Sequence, residues 1–381
     1  MASPENPKDR NCPFSPRAFF NVVRLNRDIH RESSLGLIWS DREFRQAFNR
    51  VFGLDGRWKI SKTTGLGFQG LKSFSRDLEG TAKQGSALQI GMDHFTRHWS
   101  SYLGYNDRSP NFEVASGFVP RVDYRALGGY LGYSFRPEGR RVLMGQPYLS
   151  GSVLFDHRNI RQDYSLRPGF WIEFTQATSA SARYTYKRER YGGTDFLQRG
   201  YECGVRTRRS RWFSAGLSYQ WGQSINFLPP VGRDPFLGQG EEIAFHMTVR
   251  PTTRLAVEST VLENRFLTIA GDSNIFNNNI FRLKWSYQFT PRLSLRLIGQ
   301  YSNVLPSPEY SSLDYTKNLM GDILLTYLVH PGTALYVGYS NMLENYSRLA
   351  LDQAGLLERT RSGLLSTAAG LFVKFSYVYR F

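Results

Sequence analysis

Residues 281–301 read Phe281-Arg282-Leu283-Lys284-Trp285-Ser286-Tyr287-Gln288-Phe289-Thr290-Pro291-Arg292-Leu293-Ser294-Leu295-Arg296-Leu297-Ile298-Gly299-Gln300-Tyr301. Apolar and polar residues alternate on both sides of a Thr290-Pro291 break. Successive side chains of a strand point to opposite faces, so this period of two makes a strand with one apolar and one polar face, and the stretch is a hairpin. Arg282, Lys284, Arg292 and Arg296 fall together on the polar side.

The same alternation recurs along the chain. Leu371, Val373, Phe375, Tyr377, Tyr379 and Phe381 share a face at the C-terminus. Ile323, Leu325, Tyr327 and Val329 lead through His330-Pro331-Gly332 to Leu335, Val337 and Tyr339, and Phe213 to Trp221 and Leu127 to Phe135 repeat the pattern. These strands run about ten to fourteen residues, roughly twice the modal globular strand, whereas a tilted membrane-crossing strand needs about nine to eleven. Connections alternate between tight turns and long polar links, the latter read at Pro229-Pro230-Val231-Gly232, at Asn277-Asn278-Asn279 and from Pro306 to Lys317. Short turns at one rim and long loops at the other belong to an outer-membrane barrel. A soluble sandwich would also alternate, but it gives no reason for aromatic residues to gather at strand ends. Here Trp285, Tyr287 and Phe289 do so, as do Tyr377, Tyr379 and Phe381, which makes them candidates for the aromatic girdles at the membrane interfaces. The expected fold is therefore all-β, a transmembrane antiparallel barrel of about 18 strands, within a range of about 16 to 20. It occupies residues 17–381 behind a polar lead-in over 1–16. Arg42 to Asn49 is the nearest approach to a helix, and it could equally open a strand.

Composition fits this reading. The 381 residues include 27 Phe, 22 Tyr and 7 Trp, too many core-formers for a disordered chain. The mean hydropathy of −0.41, with no run of 18 apolar residues, excludes helical spans. The net charge of +16, carried by 39 Arg and 9 Lys against 32 acidic residues, raises the question of a nucleic-acid partner. That needs a basic patch within a recognisable module, and these arginines are instead dispersed through alternating strands, so no nucleic acid is expected. Cys12 and Cys203 give neither metal spacing nor a disulfide framework. The first ten residues lack the apolar core of a secretory signal, so Met1 reads as a truncated or late start, or a split gene.

Few residues suggest chemistry. Gly65, Gly67 and Gly70 fit G-x-G-x-x-G, but no helix follows to meet a pyrophosphate, and no cofactor is expected. His94 and His98 would stand about 13 Å apart if both lay on one strand, too far to share a metal ion. His246 falls on the inward face of its segment without a convergent serine, so neither a catalytic set nor a metal site is expected. The basic residues carry more information. Besides the four above, Arg183 and Lys187 share a face, and a lipid-facing charge costs about 2–4 kcal/mol at the midplane, so these six are candidates for the lumen lining.

Four stretches resemble the C-terminal barrel of a family of bacterial outer-membrane proteins of unknown function: SSLGLIWSDREF (Ser33–Phe44), SPNFEVASGFVPRVDYR (Ser109–Arg125), TYLVHPGTALYVGYSNMLEN (Thr326–Asn345) and the ending VKFSYVYRF. The resemblance implies a barrel in the outer membrane of a Gram-negative cell. It also implies lipid and lipopolysaccharide as surroundings and assembly machinery that engages the C-terminal strand. Members of that family carry an N-terminal domain similar to family-9 carbohydrate-binding modules, which this sequence lacks. Three functions stay open: a pore or translocation scaffold for glycan fragments or other anionic and polar solutes, a non-conducting anchor for the missing domain, and an outer-membrane hydrolase.

Overall fold

A computed structural model describes residues 17–30, 32–137, 139, 141–347, 358–361 and 363–378. Among them are nineteen long strands, assigned by their pairing to one sheet, and two strands of two residues that pair with each other. No described helix is long and apolar enough to cross a membrane. The chain divides into two compact units. One runs to Ser134 and also takes Tyr148–Leu166 and Glu189–Gly193; the other takes Phe135–Pro147, Arg167–Arg188 and the described residues from Thr194 onward.

The first unit contains β1 (Ala18–His30), β2 (Ser33–Phe44), β3 (Ala47–Lys59), β4 (Thr64–Arg76), β5 (Ala82–Phe95), β6 (Trp99–Arg108) and β7 (Tyr124–Tyr133). It shares β8 (Val142–Phe155), β9 (Arg161–Phe174) and β10 (Thr178–Tyr191) with the second. Each strand from β1 to β8 pairs antiparallel with the next. Cross-strand register places paired residues on one face, and the faces separate cleanly. Leu88, Ile90 and Met92 of β5 are exposed, whereas Gly85, Ala87 and Gln89 share the opposite face with Ser73, Leu71 and Gln69 of β4. Arg42 to Asn49 is not helical: β2 ends at Phe44, Arg45 takes a left-handed φ of 54° in the turn, and β3 starts at Ala47.

The second unit contains β11 (Thr194–Ser210), β12 (Phe213–Asn226), β13 (Phe236–Val249), β14 (Leu255–Thr268), β15 (Asn274–Gln288), β16 (Leu293–Pro306), β17 (Thr316–His330) and β18 (Thr333–Glu344). β19 (Tyr346–Ser347) and β20 (Glu358–Arg359) are the short pair, and β21 (Leu365–Tyr377) returns to β18. The turns at 211–212, 250–254, 289–292 and 331–332 lie at one end, and the links at 227–235, 269–273 and 307–315, two of them of nine residues, at the other. The Asn277-Asn278-Asn279 run is not a link. It lies inside β15, where Asn279 donates a side-chain hydrogen bond to Asn303 of β16 at 3.1 Å, because amides can hold a ladder as well as a loop. Likewise Pro306 and Lys317 close and open strands around the 307–315 link.

Exposed large apolar side chains accumulate on one face in both units, among them Leu131, Leu217, Phe281, Leu283 and Ile323. A water-soluble monomer rarely leaves such a surface bare, and lipid is the solvent that accepts it.

Candidate functional site

Two cavities of the second unit gather basic side chains of its polar face. The one at the short-turn end measures about 740 Å³ and is lined by Arg211, Arg250, Arg254, Lys284 and Arg296, with Ser286, Ser294 and Thr326 between them. Register builds it: Ala256, Ser286, Arg296 and Leu324 lie side by side across four strands, and the next row holds Glu258, Lys284 and Asp322. Lys284 spends its charge locally, donating to both oxygens of Glu258 at 3.1 and 3.2 Å. Arg211, Arg250, Arg254 and Arg296 form no ion pair among the described residues.

The second cavity, about 560 Å³, lies toward the long-loop end and includes Arg167, Arg183, Lys187, Glu202, Glu242 and Asn264 in its lining. Arg183 donates to Glu202 across β10 and β11. The 227–235 and 307–315 loops bind each other above it: the buried Asn226 amide donates to the Tyr310 carbonyl at 2.7 Å, the Ser312 N–H to Leu228 at 2.9 Å, and the Arg233 guanidinium stacks over the Tyr310 ring.

Of the six basic residues singled out from sequence, Lys284 and Arg296 line the first cavity, and Arg183 and Lys187 the second. Arg282 is exposed on the same face, one register row beyond Lys284. Arg292 differs from expectation, for it belongs to the 289–292 turn and not to a strand, its carbonyl accepting from the Leu328 N–H at 2.7 Å. The strand begins one residue later because the Thr290–Leu293 turn is closed by the Leu293 N–H donating to the Thr290 carbonyl at 3.2 Å and the Arg292 N–H to the Thr290 hydroxyl at 3.2 Å. The sequence marks Arg250 and Arg254 only by their place on either side of Pro251-Thr252-Thr253.

Trp285, Tyr287 and Phe289 pack ring to ring at the end of β15, 6.3 and 4.8 Å between successive centroids, with Phe289 already in the turn. Tyr377 ends β21 exposed; Tyr379 and Phe381 lie outside the described residues. Tyr184, Tyr201 and Trp221 form another such stack, with centroids 5.0 and 6.1 Å apart, that alternation alone did not mark as a group.

The glycines of the dinucleotide-like match all lie within β4. His94 in β5 bonds the Thr64 hydroxyl at 2.9 Å, while His98 sits in the following turn and bonds the Ser134 carbonyl at 3.0 Å, so the two do not share a strand. His246 lies across from Gly216, where an added Cβ would stand 2.2 Å from its ring, and it faces a third cavity of about 340 Å³ with Glu202 and Arg206. No cluster of three metal-binding side chains occurs among the described residues.

In the first unit the 109–123 segment is a loop laid on the polar face of β2–β5. Asn49, almost fully buried, donates to the Glu113 carbonyl at 3.0 Å and accepts from the Ala115 N–H at 2.9 Å. The Glu113 N–H donates to Ser73 Oγ, Ser75 Oγ to the Glu113 carboxylate, and the Ser40 and Ser116 hydroxyls touch. At the segment's end His157 stands between Asp123 and Asp107, 2.9 and 3.0 Å away. The 156–160 loop that presents His157 is tied by Asp156. Burial acts to raise its carboxyl, but the Ile160 and Arg158 N–H groups, the Gln162 amide and the Arg158 charge outweigh burial and hold it below the usual carboxylate range. A depressed pKa contributes stability above the unfolded value, near 4, and loses it as pH falls through the folded one. Proteolytic cleavage of this loop is accordingly expected to rise below about pH 4, and an Asp156→Asn variant should lose that pH dependence; identical acid sensitivity in both chains would contradict the tie.

No protein-family model matches the chain, and no curated protein matches it. Solved structures do. The siderophore receptor PirA from Acinetobacter baumannii aligns over 95% of this chain and 71% of its own, at 8% identity and a TM-score of 0.50. The alcaligin outer-membrane receptor FauA from Bordetella pertussis aligns over 87% and 71%, at 10% identity and a TM-score of 0.48. The ferric yersiniabactin uptake receptor FyuA from Yersinia pestis aligns over 94% and 70%, at 9% identity and a TM-score of 0.46. The PirA likeness is one of fold, and with the strand pairing it makes this chain an all-β, transmembrane antiparallel barrel.

Proposed function

We propose that the chain is an outer-membrane barrel whose polar face lines a path for anionic or polyhydroxylated solutes, glycan fragments among them. The supporting observation is the arginine-lined cavity at the short-turn end: four guanidinium groups converge there, and the nearby carboxylate of Glu258 is already engaged by Lys284. Short turns face the periplasm in such barrels, so this mouth meets solutes on the inner side of the membrane. Amides and hydroxyls beyond it, Asn264 and Thr185 among them, offer hydrogen bonds to a sugar without repelling its charge. The exposed apolar faces meet lipid, and loop cations at the far rim meet lipopolysaccharide phosphates. In planar bilayers a potassium chloride gradient should give a reversal potential of the sign set by chloride passage. A cation-selective pore would overturn the charge argument.

A second reading, a closed anchor, draws on the loops that fold over the polar face in both units. It requires that no conductance be seen in purified, correctly folded protein. A hydrolase draws on less: the His246 cavity is also lined by Ser179, Ser181, Ser218, Glu202 and Arg206, but no hydrogen bond joins His246 to a serine among the described residues.

A further inference from the structure

We infer that the 109–123 segment is the constriction that sets the size of solute the barrel passes, and that Asn49 is the residue positioning it; the inference rests on the conducting reading above. An ordinary surface loop satisfies its backbone with water. This one is bound to the sheet's polar face at five strands. Its entry is fixed by reciprocal bonds between Ser109 and Ser86, in which the Ser109 N–H donates to the Ser86 carbonyl at 2.9 Å and the Ser86 N–H to Ser109 Oγ at 2.7 Å. Phe112, almost fully buried, then crosses β5 at Gly85, where a Cβ would stand 2.3 Å from the Phe112 Cα and nitrogen. That approach is closer than any side chain permits, so glycine at 85 is what lets the segment lie flat. Asn49 next grips one carbonyl and one N–H of the segment, the pair of groups that a neighbouring strand would have engaged. Ser73 and Ser75 of β4 and Ser40 of β2 complete the row. The exit is held by Arg121 on Asp163 at 2.7 Å and by Asp123 on His157.

The grip is made of small polar side chains that point from strands into the lumen. An apolar packing residue would hold a loop without fixing its position, whereas paired backbone bonds fix both height and register. Solutes moving along the polar face of this unit meet the segment's own groups, Glu113 and Val114 to Gly117, before the strands beneath.

The test uses Ser40→Cys with Ser116→Cys in a Cys12→Ser, Cys203→Ser background, purified in detergent micelles. Oxidation with copper phenanthroline is expected to join the two thiols, read as loss of thiol labelling and recovery on reduction. In planar bilayers the joined form should conduct like the wild type, and Asn49→Ala or Gly85→Val should raise single-channel conductance at least twofold and admit larger neutral oligosaccharides. Failure of the disulfide to form in folded protein overturns the placement, and with it the inference. Equal conductance in the joined form, Asn49→Ala and Gly85→Val, with the wild type conducting, overturns the constriction alone. Silence in every form, wild type included, overturns the pore and the constriction together.

Discussion

Replacing Arg250, Arg254 and Arg296 together by Glu should reverse the ion preference of the barrel from anions to cations. These three line a cavity of about 740 Å³ with Arg211 and Lys284, a space roughly 9 Å across, comparable to the screening length of about 10 Å at 0.1 M salt. A unit charge about 9 Å from a passing ion is worth about 0.5 kcal/mol in water. Each Arg→Glu exchange changes the lining by two charges, so three exchanges amount to about 3 kcal/mol unscreened, which salt reduces to about 1 kcal/mol. The effect has opposite signs for cation and anion, so their permeability ratio shifts by about 2 kcal/mol, roughly thirtyfold, about 1.4 kcal/mol being tenfold. The reversal potential in a salt gradient reads it directly, and the shift should shrink at 1 M salt, where the screening length falls to about 3 Å. The matching Arg→Gln set should move the potential about half as far. An unchanged potential in the folded triple variant would remove this cavity from the conduction path.

The largest effect on folding is expected from Gly222→Val. Gly222 of β12 faces Gly200 of β11 in register, and a Cβ at 222 would stand 2.5 Å from the Gly200 Cα and 2.8 Å from the Arg199 carbonyl oxygen. Both obstacles are backbone, so no rotamer change relieves them. Overpacking of this kind costs about 1–3 kcal/mol and sometimes more, and relief would require β11 and β12 to part within their ladder. Loss of the folded, heat-modifiable band on cold electrophoresis, with a lowered urea midpoint, is the expected result. Gly299→Val on β16 is the control, for nothing stands within 4 Å of a Cβ there and a β-branched residue suits a strand. If both variants fold equally well, the close approach of β11 and β12 is not what the glycine is for.

How far the site was legible in the sequence follows from what each feature depends on. Lys284 and Arg296 could be placed on the polar face because period two is a property of a strand by itself. Arg292 could not, since whether a residue after proline belongs to turn or strand depends on the partner strand that captures its carbonyl, here Leu328 of β17. The asparagine run misled for a related reason: Asn277 to Asn279 have turn-like chemistry, but the neighbouring strands β14 and β16 supply a ladder that holds them extended. Arg211, the Arg250–Arg254 pair and Arg296 come from three separate hairpins, and nothing local brings the three together.

Alternation along the chain determined by itself that this protein is a barrel of long antiparallel strands with an apolar outside, because each residue's face is set by its immediate neighbours. Tertiary structure alone decided which polar residues meet. Ser40 reaches Ser116 over 76 positions and Asn226 reaches Tyr310 over 84. Such contacts depend on register accumulated across several hairpins and on where a loop finds backbone partners. Those are properties of the assembled sheet and have no period to read in the chain.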